Sequence, residues 1–110
     1  MTSSDSGPIE VVIDVEIREI IPYFLETRRK EVQSLETALA TGDLTTVMKI
    51  GHNMKGAGGS YGFDEISRLG LIIEQAAGKG DQPKASGALR ELRDYLDWVV
   101  VSYGPGEGEA

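Results

Sequence analysis

The chain predicts an all-α fold, an antiparallel up-and-down four-helix bundle with a short additional N-terminal helix. Three observations predict it. Apolar residues recur at helical spacing over most of the 110 residues. Clusters of Gly and Asp cut that pattern into segments of helix length. No run reads as a strand with a partner, and short connections between successive helices favour antiparallel neighbours.

Residues 1–8 are small and polar and are expected to be disordered. The run Val11-Val12-Ile13 is β-branched but too short and unpartnered for a sheet, so it is expected as an apolar lead-in. A short helix is expected around Val15–Ile21. Pro22 suits the first turn of a long helix to Ala40. Its inward stripe is Phe24, Leu25, Val32, Leu35 and Leu39, with Arg28, Arg29, Lys30, Glu31 and Glu36 facing water. Gly42 is a stop signal and Asp43 a cap for the next helix, roughly 44–60. In the turn Gly62-Phe63-Asp64, Asp64 is the expected cap of a helix running to about Gly78. Ile66, Leu69, Ile73 and Ala77 face inward there. After the breaker run Gly78–Pro83, a last helix of about 84–102 would bury Leu89, Leu92, Leu96 and Val99, with Tyr103 at its end. Residues 104–110 read as a flexible tail, leaving 9–103 as the folded domain.

Composition removes several function classes. No cysteine means no disulfide, thiolate nucleophile or Cys-based metal site, and a single histidine excludes a His-rich zinc site. A formal net charge of −7 argues against nucleic acid as a partner. The N-terminus lacks the pattern of a signal peptide, and no apolar stretch has the length of a membrane span. A cytoplasmic, acidic, monomeric domain is expected.

The run Gly51–Gly62 carries the chemistry. At about 100° per residue His52, Lys55, Gly56 and Gly59 share one helix face, while Val47, Ile50, Met54, Ala57 and Tyr61 form an opposed apolar stripe. Such a helix buries one side and displays one imidazole, with a cation beside it, on a cleared surface. Each interior glycine costs about 0.8–1 kcal/mol relative to alanine, so Gly56, Gly58 and Gly59 imply close approach by something. Gly56 is assigned as clearance for a partner, and Gly58 and Gly59 as the place where the helix loosens. Met48 lies near the His52 face and, with Gly59, is a candidate partner contact; Ile17 and Ile20 are expected in the core.

The glycines fit neither the dinucleotide fingerprint nor a phosphate-binding P-loop, so no nucleotide site is visible. No nucleophile elbow supports a Ser-His-Asp hydrolase. Imidazole is a competent nucleophile near neutral pH, and Lys55 can neutralise phosphoryl oxygens as a point charge. Phosphoryl transfer depends mostly on positioning and charge compensation, so a partner could supply metal and phosphodonor.

His52-Asn53-Met54-Lys55-Gly56-Ala57-Gly58-Gly59-Ser60-Tyr61-Gly62 resembles the signature of histidine-containing phosphotransfer (HPt) domains. Ile21–Leu25 leading to Ala40–Asp43, and Gly62 through Glu74 to Gly80-Asp81, look like the family's flanking helices and turns. The resemblance implies a four-helix bundle relaying phosphoryl groups between His and a receiver-domain aspartate, without kinase activity of its own. It implies His52 as the phosphorylated residue, Lys55 as electrostatic stabiliser, Gly56 as docking clearance and Glu74 as a hydrogen-bond partner of Nδ1. It also implies no cofactor on this chain, Mg²⁺ on the partner receiver, and a hybrid histidine kinase as a further partner. Gly51 stands where many relatives have Ala, which predicts a locally looser helix. Two other readings remain at this point. One is a non-catalytic helical module that docks a receiver or sensor kinase; the other is a helical enzyme or metal protein using His52 with nearby carboxylates.

Overall fold

Three glycines punctuate the chain, and the architecture follows from them. The computed structural model describes residues 8–105. In order these form strand β1 (Ile9–Asp14), a 3-10 segment (Val15–Ile20), and helices α1 (Ile21–Ala40), α2 (Leu44–Ser60), α3 (Asp64–Gly78) and α4 (Gln82–Trp98). Strand β2 (Val99–Gly104) ends the series. The four helices make a helical bundle. Gly42, Gly62 and Gly80 take left-handed φ values of 76°, 89° and 73°. Each lets the next N–H turn back onto a helix carbonyl: Asp43 to Ala38, Phe63 to Gly58 and Asp81 to Ala76, each at 2.8 Å. Asp43 and Asp81 then start the following helices by accepting from the N–H groups of Thr46 and Lys84.

The third start differs from expectation. Phe63, not Asp64, occupies the cap position of α3, and no side chain caps it. Phe63 is fully buried, so the helix entry is fixed by core packing, while Asp64 and Glu65 meet the positive end of the helix dipole.

The core is continuous. Leu35, Val47, Met54, Phe63, Ile66, Leu69, Ile73 and Leu92 are fully enclosed. On α1 the inward stripe includes Ala38 in place of Leu39, which is half-buried. Arg28 does not face water as expected. Its guanidinium lies 4.7 Å over the Phe24 ring and 2.8 Å from the Glu31 carboxylate, so the aliphatic stem packs inward while the charge is paired. Burial pushes the Glu31 carboxyl above its ordinary value in spite of the opposing pull of Arg28. Ile20 is exposed and Ile17 only half-buried, so neither joins the core as expected.

The ends of the domain overturn the strandless reading. The short additional helix expected around Val15–Ile21 is only the 3-10 segment Val15–Ile20, and before it β1 runs beside β2 in parallel, with Ile9 opposite Val99 and Ile13 opposite Tyr103. The helix expected to reach residue 102 stops at Trp98 because Val99-Val100-Val101 extend, as a β-branched run prefers. Val11-Val12-Ile13 thus has a partner after all, one contributed by the far end of the chain. Gly104, expected to begin the tail, pairs with Asp14. Of the disorder expected for residues 1–8 and the flexible tail expected for 104–110, residues 1–7 and 106–110 lie outside the described residues. Among the described residues, no helix is long and apolar enough to cross a membrane.

Candidate functional site

The site is set by how closely α2 and α3 approach. A Cβ on Gly51 would lie 2.8 Å from the Glu74 backbone nitrogen and 2.9 Å from the Gly70 carbonyl oxygen. One on Gly58 would come within 2.6 Å of the Ser67 nitrogen, and one on Gly70 within 2.7 Å of the Lys55 nitrogen. All three glycines would be pressed closer than real Cβ contacts allow, so the two helix backbones touch where side chains are missing. Gly51 therefore does not loosen the helix before His52. It seats that turn against α3. Gly58 likewise packs, and α2 continues through Gly58 and Gly59 to Ser60.

This proximity lets one short carboxylate on α3 reach two side chains on α2. Glu74 Oε2 lies 3.0 Å from His52 Nδ1, and Oε1 lies 3.2 Å from Lys55 Nζ. Burial raises the Glu74 carboxyl, but the hydrogen bond from His52 and the pairing with the Lys55 ammonium outweigh it, leaving Glu74 below its ordinary value. An ionised carboxylate only accepts, so Nδ1 carries the hydrogen, and in the neutral ring Nε2 then has the lone pair. The His52 side chain is 63% exposed, against 24% for Glu74, so the ring is gripped on one edge and open on the other. Lys55, 38% exposed, adds a positive charge on the same flank.

The remaining sequence-predicted residues fall around this triad. A Cβ on Gly56 would meet nothing within 4 Å, so the surface one turn after His52 is open. At Gly59 a Cβ would lie 3.3 Å from the Ser67 hydroxyl, so its exposed side is shared with α3. Met48, 37% exposed, extends the face one turn before His52 and sits close to Gly78. Sequence reasoning missed two residues here. Leu71 is an exposed apolar residue one turn before Glu74, and Ser67 bonds to the backbone of α2. Helical spacing from Glu74 could have found Leu71; nothing in the α2 motif points to Ser67. Among the described residues no group of three or more His, Cys, Asp or Glu is placed to hold a metal ion.

Comparison with known proteins returns one family model, described as Hpt domain, which matches residues 19–100. The match spans α1 through α4, includes His52, Lys55 and Glu74, and leaves β1 outside. No curated protein and no solved structure matches the chain.

Proposed function

The chain belongs to the Hpt domain family, whose members carry phosphoryl groups on histidine in two-component relays, and we propose that His52 is the residue that does so here. The observation that carries this reading is an exposed His52 ring whose Nδ1 is held by Glu74, the same carboxylate that holds the Lys55 ammonium.

The chemistry follows from that arrangement. The Nε2 lone pair attacks the phosphorus of a receiver's aspartyl phosphate, a P–N bond forms, and the P–O bond to the aspartate breaks as its carboxylate leaves. Positive charge develops on the imidazole as Nε2 is substituted, and the Glu74 carboxylate on Nδ1–H offsets it. Lys55 pairs with the phosphoryl oxygens. Open space over Gly56 admits the partner's acidic pocket, with Met48 and Gly59 at the contact. The Mg²⁺ that such a transfer uses belongs to the receiver. Either direction of transfer uses the same groups, and a hybrid histidine kinase carrying a receiver is a fitting donor. The three-residue connections between successive helices support reading the bundle as up-and-down antiparallel. With Gly104 paired to Asp14 the folded unit is then 9–104, one residue beyond the expected 9–103, and it works in the cytoplasm with its receivers.

A panel of receivers loaded with acetyl phosphate tests the reading. The expected result is acid-labile, base-stable phosphate on this chain, lost in His52→Gln. Label retained by His52→Gln would sink the assignment, and a folded chain that no receiver labels would favour a docking module without transfer.

A further inference from the structure

We infer that Ser67 is a positioning residue for Lys55, acting across the α2–α3 seam on the turn that follows His52. The inference rests on the phosphotransfer reading above and adds to it a residue that makes no contact with the phosphoryl group.

A regular helix joins the carbonyl of residue 55 directly to the N–H of residue 59. Here a hydroxyl from the neighbouring helix bonds to both members of that pair. Ser67 Oγ accepts from the Gly59 N–H at 3.0 Å and donates to the Lys55 carbonyl. The bridge sits where α2 holds itself least well, since Gly56, Gly58 and Gly59 fall within four residues and each weakens the helix.

Ser67 is one of three contacts that α3 makes to a single residue. Glycine at 70 lets α3 press on the Lys55 nitrogen, Ser67 holds the Lys55 carbonyl, and Glu74 holds the ammonium at 3.2 Å. Residues 67, 70 and 74 stand at i, i+3 and i+7, one stripe along α3. Lys55 is therefore fixed at its backbone and at its charged end by the same surface. Glu74 must share its carboxylate with His52, and it releases the ammonium when phosphoryl oxygens compete for it. At that moment the backbone bonds from Ser67 are what keep Lys55 aimed. Because phosphoryl transfer depends on position, losing them shows in rate before it shows in folding.

A double-mutant cycle tests this, using the acetyl-phosphate-loaded receiver that labels the unaltered chain fastest. Transfer to Ser67→Ala is expected to slow by about fivefold to tenfold, and the same change in a Lys55→Ala background is expected to have almost no effect. Thermal melts of all four chains separate rate from folding. A wild-type rate in Ser67→Ala, or an equal slowing with and without Lys55, would overturn the inference while leaving the role of His52 intact. Label surviving in His52→Gln, run alongside, would instead overturn the reading beneath it. Should Ser67→Ala fail to fold, Ser67→Cys repeats the cycle with a thiol that is a poorer donor and acceptor in nearly the same space. Coupling to Lys55 again supports the inference, and its absence again defeats it.

Discussion

The two seams that α2 makes with its neighbours are built on opposite principles. Against α1 the turn that closes α2 presents bulk. Phe24 stacks on Phe63 with ring centroids 5.1 Å apart and tilts against Tyr61 at 4.8 Å, and Arg28 covers the outer face of Phe24. Against α3 the helix itself presents absence, with Gly51 facing Gly70, Gly58 facing the Ser67 nitrogen, and backbone meeting backbone. The first seam fills space and supplies stability through buried area. The second removes space, which brings Glu74 within reach of His52 and Lys55. A binding or reactive site needs position more than it needs area, and the triad lies on the seam with the least freedom to shift.

Substitutions at the two seams should therefore fail in different ways. The largest effect is expected at the bulky seam. Phe63→Ala removes a fully buried ring and should cost about 3–5 kcal/mol in urea unfolding. Gly70→Ala adds one methyl group where the Lys55 nitrogen already stands. It should cost about 1–3 kcal/mol, and whatever protein remains folded should transfer phosphate more slowly than its stability explains. Equal loss of stability from Gly70→Ala and from an alanine at an open helical glycine would break the comparison.

Gly56 supplies that control. Its Cβ position is empty and its φ is not left-handed, so Gly56→Ala should stabilise the chain by about 0.5–1 kcal/mol. If Gly56 is clearance for a receiver, the same variant should accept phosphate more slowly while melting higher. Stability and transfer would then move in opposite directions, which neither seam alone predicts.

The smallest effect concerns pH. Glu74 is held below the ordinary carboxylate value in the folded chain, so its pairing stabilises the fold above the unfolded carboxylate's titration and is lost as pH falls through the folded value. The unaltered chain should lose slightly more stability on acidification than Glu74→Gln. Denaturation midpoints measured across the acidic range check the sign. A steeper acid loss in the variant would contradict the Glu74 pairing.

Much of this architecture is legible in the order of the amino acids. Glycine followed by Asp at 42–43 and 80–81 marks helix stops and starts because both residues act through local backbone geometry. The exposed face of His52 follows from spacing on a single helix. The features that escape such a reading involve a partner distant in sequence. Val11-Val12-Ile13 is a strand because Val99–Tyr103 lies beside it, and Val99 leaves α4 for the same reason. Arg28 goes inward because Phe24 and Glu31 together offer its stem and its charge a place. Phe63 displaces Asp64 as the cap because burying a ring outweighs one capping hydrogen bond.

By itself the sequence determined four helices, the stops of the first three, and one histidine with a lysine one turn along, because periodicity, caps and left-handed glycines act within a few residues. The tertiary structure decided what the other glycines are for. A glycine carries no side chain to read, so its meaning lies in whatever stands opposite: open space at Gly56, and the backbone of α3 at Gly51 and Gly58.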